Sequence, residues 1–296
     1  MPEVGGTFVQ GESEVASVNM VYGAASADTR SMTSSSSCSI ALKSEGISYC
    51  ASARIPMVYC NVQRGGPGVG AIQPTQQDYN QATKASGNGG FRMMVLAPFT
   101  VQEAVDLTYK AFDYADRDRN PVLVLADGVI GTMMEPVELP KMKSDAEVAA
   151  IKDGKKKWAC IGHELDYANR AWIEPGHWST VAMQQANEEA EIVLTAYGIC
   201  GRIAANTVDM LREQGVKAGL IRPITVYPFP YAAYDKIDYT KCKGIVSVEM
   251  SIPAQFADDV KAAVKERCAV TTCLCSGGNI MSREAVLAAV KNVMEG

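Results

Sequence analysis

The feature that most constrains this chain is a series of short apolar runs that do not alternate in and out. Seven of them read as strands: Met57–Val62, Met93–Ala97, Pro121–Ala126, Glu191–Tyr197, Lys217–Ile221, Gly244–Met250 and Val270–Leu274. A strand with one wet face alternates apolar and polar residues, whereas a strand covered on both faces does not. Helical patterns fall between the runs. Glu12–Ala25 carries Val15, Val18, Val21 and Tyr22 at helical spacing. Val101–Ala115 follows Thr100, a good N-cap, with Glu103 three residues on as in a capping box. Arg202–Glu213, Pro253–Glu266 and Ser282–Met294 follow the same logic. Strand–helix alternation predicts right-handed βαβ units and an α/β, doubly wound architecture of mainly parallel sheets.

A chain of 296 residues exceeds what one core ordinarily serves. The composition changes over Pro140–Ser179, which is locally lysine-rich and lacks strand-like runs. The expected organisation is a first α/β domain over 1–140, a connector over 141–184 with a helix from Asp145 to Gly154, and a second α/β domain over 185–296.

Composition narrows the function classes. A net charge of -5 and a pI near 5.3 argue against a broad nucleic-acid footprint, which needs a basic face. No apolar run reaches the roughly 20 residues of a membrane helix, and the start has no basic segment leading into an apolar one. The expectation is a cytoplasmic chain that meets neither nucleic acid nor membrane. Nine cysteines lack the short repeated spacing of an iron–sulfur site, so free, reduced, buried thiols are expected. The two histidines, His163 and His177, both fall in the connector and read as surface residues.

Four motifs carry candidate chemistry. Val62-Gln-Arg-Gly-Gly-Pro-Gly-Val-Gly70 follows a buried strand. Its glycines satisfy a dinucleotide fingerprint literally, but Pro74 interrupts the helix that the fingerprint must open. A glycine loop beyond a strand's carboxyl end is still where such sheets bind ligands, and Arg64 there can hold an oxyanion bidentately. A surface ion pair is the plainer role for Arg64. Thr33-Ser-Ser-Ser-Ser37 precedes a lysine-bearing helix. It reads equally as a flexible linker or as hydroxyls set to meet an anion or polar ring. Glu12 and Glu14 lie two apart, where favourable interaction with a helix dipole is the common role. Asp127-Gly128 ends a strand and reads as a turn before it reads as a ligand contact.

Taken in order, these segments resemble a known family. They are Gln10-Gly-Glu-Ser-Glu-Val through Ala25, Met32 through Ser37, Asn61 through Tyr79, Val124-Leu-Ala-Asp-Gly128, Met134-Glu-Pro136, Ala196-Tyr-Gly, Arg222-Pro-Ile-Thr-Val-Tyr-Pro228 and Val248-Glu-Met250. The chain resembles the α-type subunit of the thiamine-diphosphate-dependent 2-oxoacid:ferredoxin oxidoreductases. The form of the Arg64 loop and of Gln77-Asp-Tyr79 is closer to the branched-chain (3-methyl-2-oxobutanoate) type than to the 2-oxoglutarate type, with a 2-oxoglutarate- or pyruvate-specific relative as the alternative.

The resemblance implies a pyrimidine-binding type of thiamine diphosphate domain followed by one like the carboxyl-terminal domain of transketolase. It implies oxidative decarboxylation of a 2-oxoacid with coenzyme A, giving acyl-CoA, carbon dioxide and electrons for ferredoxin. The cofactor would be shared with a β-type subunit that holds Mg²⁺, and 4Fe–4S clusters would lie on a cluster-bearing subunit of a complex that also includes a γ-type subunit. The family's cofactor-activating glutamate falls on Glu14 and its arginine on Arg64; Ser35 and Ser36 line the same cleft. A carboxylate on N1′ of the aminopyrimidine favours the imino tautomer, whose 4′ nitrogen takes the C2 proton of the thiazolium.

Family members usually open with a strand and helix carrying Tyr-Pro-Ile-Thr-Pro, and this sequence opens at Met1-Pro-Glu-Val. The expectation is a first domain without its opening βα unit, weak binding of thiamine diphosphate by the chain alone, and, as the rival to catalysis, a truncated assembly subunit.

Overall fold

The computed structural model describes residues 3, 5–69, 71–84, 86–153, 182–185 and 189–295. His163, His177 and Cys160 lie outside them. Two five-stranded sheets organise the chain. The first contains β1 (Met32–Ser35), β2 (Val58–Gln63), β3 (Met94–Leu96), β4 (Val122–Asp127) and β8 (Thr225–Tyr227), in the order β1-β2-β4-β3-β8. The second contains β5 (Ala182–Gln185), β6 (Ile192–Thr195), β7 (Ala218–Pro223), β9 (Gly244–Glu249) and β10 (Val270–Leu274), in the order β10-β9-β6-β7-β5. Each sheet is parallel except for one antiparallel edge strand, β8 in the first and β5 in the second.

The apolar runs are continuous because both faces are covered. In the first sheet Val58, Met94, Val122 and Val124 pack under α4 (Val101–Asp118), against Leu107 and Ala111. The intervening Tyr59, Val95, Leu123 and Leu125 pack on the other face, with Val18 of α1 (Glu14–Ser26) and Ile40 and Ile47 of α2 (Ser37–Ala53). In the second sheet Ile192, Leu194, Leu220 and Val246 face α7 (Gly198–Glu213) and α10 (Arg283–Glu295). Val193, Ile221 and Ile245 face α9 (Phe256–Val264). The α/β doubly wound expectation holds in this detail.

Helix boundaries shift where a cap wins. α1 begins at Glu14 because the Ser13 hydroxyl accepts from the Ala16 N–H, which leaves Glu12 outside the helix. α4 has the predicted cap, Thr100 Oγ1 accepting from the Glu103 N–H at 3.1 Å. α9 starts at Phe256, not Pro253, because the Glu249 carboxylate accepts from the N–H groups of Gln255, Phe256 and Ala257 at 2.9, 3.0 and 3.1 Å. The described residues also form three short helices, α3 (Tyr79–Thr83), α5 (Gly128–Thr132) and α6 (Asp145–Asp153), and a single turn, α8 (Tyr231–Tyr234).

Three strands escape the sequence pattern. β1 is the serine run itself, β8 has three residues and β5 has four. Edge strands this short carry too little periodicity to read. β8 matters most, because it carries the chain from the second sheet back onto β3 of the first.

The carboxyl ends of the two sheets meet at a polar seam. Gln76 donates from Nε2 to the Tyr197 carbonyl at 2.9 Å and accepts at Oε1 from the Met250 N–H at 3.0 Å, and its own N–H reaches the Met250 carbonyl at 2.8 Å. Asp127 ends β4 and caps α5, Oδ1 accepting from Val129 and Ile130 N–H at 3.1 Å, while Oδ2 accepts from the Ile199 N–H of α7 at 2.8 Å. The turn expected at Asp127-Gly128 is therefore also a tie between sheets. Gly198 has φ +56, and a Cβ there would meet Asp127 Oδ2 at 2.7 Å and Gln76 Nε2 at 2.8 Å, so the position needs glycine twice over. Nearby, Arg222 is 1% exposed. It forks onto Glu103 with bonds of 2.9 and 2.8 Å and lies 3.9 Å over the Phe99 ring.

Burial pushes the Asp127 carboxyl up to about 6, against the three N–H donors that pull it down. A carboxyl that titrates higher folded than unfolded holds an extra proton in the folded state between those two values. Its contribution is therefore full below the unfolded range and lost as pH rises through about 6. Urea midpoints should fall from about pH 4 to about pH 7 on this account, and the slope should flatten in Asp127→Asn. An unchanged slope in the variant would assign the effect elsewhere.

Candidate active site

The first turn of α2 gathers the candidate residues. Val18 of α1 packs onto Gly46 of α2 so closely that a Cβ on Gly46 would stand 2.6 Å from Val18 Cγ1. Glu14 lies one turn before Val18 on the same face, and Ser39 lies two turns before Gly46 on its own. The close crossing thus brings Glu14 over Ser39, whose hydroxyl donates to Glu14 Oε1 at 2.7 Å. That bond, the Glu14 backbone N–H and the Lys43 ammonium hold the Glu14 carboxyl below its ordinary range. A carboxylate poised this way is ionised and ready to accept.

Arg64 reaches the same turn from the end of β2. Its Nε donates to Ser36 Oγ at 2.9 Å and its Nη2 to Cys38 Sγ at 2.6 Å. Nη1 donates to the carbonyls of Val69 and Ala71 at 3.2 and 2.8 Å, which folds the glycine loop back over the helix start. None of these partners is a carboxylate, so the plainer expectation of a surface acid partner is not what the structure records. The backbone at Arg64 is fixed as well. Its N–H donates to Ser37 Oγ at 2.9 Å, and Thr75 Oγ1 donates to its carbonyl at 3.0 Å.

The serine run is not a linker. Ser36 is the residue before α2 and accepts from Arg64 instead of capping the helix. Ser37 is buried, its N–H donating to Asn61 Oδ1 at 2.9 Å and its hydroxyl to Asp78. Burial pushes the Asp78 carboxyl up, opposed by its bonds from Ser37 and Asn61 and by the Arg64 charge. Ser35 sits slightly apart, its hydroxyl accepting from the Lys43 ammonium. Glu14, Ser36 and Arg64 therefore converge on residues 36–39, while Ser35 belongs to the adjoining strand end. Sequence reasoning missed Ser39, Lys43, Asn61 and Asp78. Asn61 opens the segment that runs to Tyr79 and Asp78 is its last residue but one, but nothing in the spacing says that they bond to one another, as they do at 3.0 Å.

The site offers a half-exposed carboxylate, hydroxyls and a guanidinium that has no carboxylate partner. It suits the polar edge of an aminopyrimidine and an organic carboxylate. Among the described residues, no three His, Cys, Asp or Glu side chains gather as a metal site, and no helix is long and apolar enough to cross a membrane.

Comparison with known proteins decides the family. Residues 1–195 match the family described as pyruvate flavodoxin/ferredoxin oxidoreductase, thiamine diphosphate binding. The chain belongs to the 2-oxoacid:ferredoxin oxidoreductase family, as an α-type subunit. Residues 190–286 match the pyruvate:ferredoxin oxidoreductase core domain II. The ketoisovalerate oxidoreductase subunit VorB of Methanothermobacter marburgensis is 41% identical over 99% of this chain and 86% of its own. The 2-oxoglutarate synthase subunit KorA of Methanocaldococcus jannaschii is 30% identical over 85% of this chain and 78% of its own. In fold, the chain matches a 2-oxoglutarate:ferredoxin oxidoreductase from Magnetococcus marinus with a TM-score of 0.77 at 22% identity, covering 99% of this chain and 58% of that one. A split-gene transketolase matches with a TM-score of 0.57 at 13% identity, over 97% and 83%. The family and fold expected from the motifs are borne out, and the chain is a subunit of a 2-oxoacid-oxidising enzyme.

The Glu14–Ser39 contact depends on the α1–α2 crossing, which gives a direct test. Gly46→Ala should cost about 1–3 kcal/mol by overpacking against the stiff Val18 side chain. Val18→Ala in the same chain should recover much of that loss. Urea midpoints of the single and double variants measure both, and additivity of the two single effects would deny the contact.

Proposed function

We propose that this subunit furnishes the pyrimidine side of a thiamine diphosphate site acting on 3-methyl-2-oxobutanoate. The observation that carries the reading is the near-full-length similarity to a ketoisovalerate oxidoreductase subunit, joined to the convergence of Glu14 and Arg64 on one helix start. The domain division at 1–140, 141–184 and 185–296 belongs to the same proposal.

Bound thiamine diphosphate supplies the electron sink for loss of carbon dioxide. Glu14 would accept a hydrogen bond at the pyrimidine N1′, and Ser39 would keep that carboxylate aimed. Arg64 would face the 2-oxoacid carboxylate, where its planar fork gives direction as well as charge. Ser35 and Ser36 would bound the ring's polar edge. Mg²⁺, the diphosphate and the 4Fe–4S clusters would be held by β-type and cluster-bearing subunits, with a γ-type subunit completing the complex and ferredoxin as electron acceptor. Exposed Val69 and Ile72 beside Arg64, and Phe8 and Val9 before α1, form apolar surface suited to a covering subunit.

The test is reconstitution with β-, γ- and cluster-bearing subunits, thiamine diphosphate, Mg²⁺ and coenzyme A, following ferredoxin reduction. Activity should be highest with 3-methyl-2-oxobutanoate and lower with 2-oxoglutarate or pyruvate. Glu14→Gln should lose about 100-fold or more in turnover. Full activity in that variant, or a preference for 2-oxoglutarate, would contradict the reading. A stable complex inactive with every 2-oxoacid would point to an assembly subunit.

A further inference from the structure

Lys43 is 2% exposed, two turns into α2, and the family reading leaves it without a task. Its ammonium donates to Thr33 Oγ1 at 2.7 Å, to the Ser34 carbonyl at 3.3 Å and to the Ser35 hydroxyl. All three acceptors are uncharged. A buried ammonium is costly unless hydrogen bonds and a countercharge offset its lost hydration. Three bonds are present, and the countercharge is Glu14. Burial pulls the Lys43 ammonium below its ordinary range while Glu14 acts to restore it. The same pair acts in reverse on Glu14. The link between them is Ser39, four residues before Lys43 and so on the same helix face, with its hydroxyl on Glu14.

We propose that Lys43 is a positioning residue of this site, one buried ammonium that locks the end of β1 and sets the charge environment in which Glu14 works. The inference rests on the reading of Glu14 as the group that meets the pyrimidine. Lys43 bonds to three successive residues, 33 to 35, and Arg64 holds the fourth, Ser36. Two cations thus add side-chain ties to a serine run whose backbone already pairs with β2, so the hydroxyls are arranged before a ligand arrives. The groups acting on Glu14 are the Ser39 hydroxyl and the Lys43 ammonium from α2 and its own N–H from α1. Those acting on Lys43 are Thr33, Ser34 and Ser35 from β1 and Glu14 from α1.

The test uses the assembled complex loaded with thiamine diphosphate and Mg²⁺. The rate at which the C2 hydrogen of the bound cofactor exchanges with deuterium is followed against pH, without turnover. Lys43→Met is expected to slow exchange about tenfold and to move the acid limb of the profile to higher pH, because Glu14 loses the cation that favours its ionised form. Lys43→Gln keeps a donor and lacks the charge. It should show the same displaced limb while the Ser34 and Ser35 amides regain protection from hydrogen exchange. Thr33→Val keeps the charge and removes one acceptor, so its limb should stay in place even if neither Lys43 variant assembles; a displaced limb there would overturn the proposal. Lys43 variants with an unmoved limb and rates within about threefold of wild type would also overturn it. Glu14→Gln is the control: unchanged exchange in that variant would remove the reading of Glu14 itself, whereas slow exchange there with unaffected Lys43 variants would remove only the role of Lys43.

Discussion

The structure depends on how polar groups are satisfied at the carboxyl ends of buried parallel strands. Such ends expose backbone groups where water is excluded, and each must find a partner. Asp127 at the end of β4 and Glu249 at the end of β9 solve this with carboxylates that accept almost entirely from backbone N–H groups. Asp127 takes one of its three donors from the first turn of α7 in the other half of the chain. Gln76 completes the seam by bonding to Tyr197 and Met250 as a strand residue would.

That seam reaches the candidate site through one loop. The segment after β2 starts at Arg64, closes on itself through Gly65 N–H to the Gln73 carbonyl at 2.7 Å, and is pinned to the second sheet at Gln76. Arg64 is therefore held from both ends of its loop before its guanidinium makes any contact. The convergence of Arg64 and Glu14 on α2 is a property of the whole chain and not of its first half. The shared apolar layer points the same way: Tyr79, Tyr197 and Phe256, from three distant parts of the sequence, pack with ring centroids 5.3 to 5.6 Å apart.

Much of this was legible in the sequence, and the gaps have physical causes. Runs such as Val122–Asp127 announced a strand buried on both faces, since every residue in it is apolar up to the terminal acid. The Thr100–Glu103 cap was readable because capping is local. β8 was not, because three residues joining an edge carry no period and their partner, β3, lies some 130 residues earlier in the sequence. Arg64 was a candidate from its place in a glycine loop beyond a buried strand, whereas Glu14 was named only from the family resemblance, its position alone giving it a helix-dipole role. Ser39 was not legible for a different reason. Its bond to Glu14 comes from the Val18–Gly46 crossing, a contact between two helices that no single window contains.

The proposed function stands or falls with Glu14 as the carboxylate that meets the pyrimidine. The most direct measurement is an experimental structure of the assembled complex with thiamine diphosphate and Mg²⁺ bound. A Glu14 carboxylate oxygen should lie about 2.6–3.2 Å from N1′, with Ser39 still on the other oxygen and Arg64 bordering the space beyond the thiazolium. A carboxylate from another chain at N1′, with Glu14 turned to solvent, would contradict it.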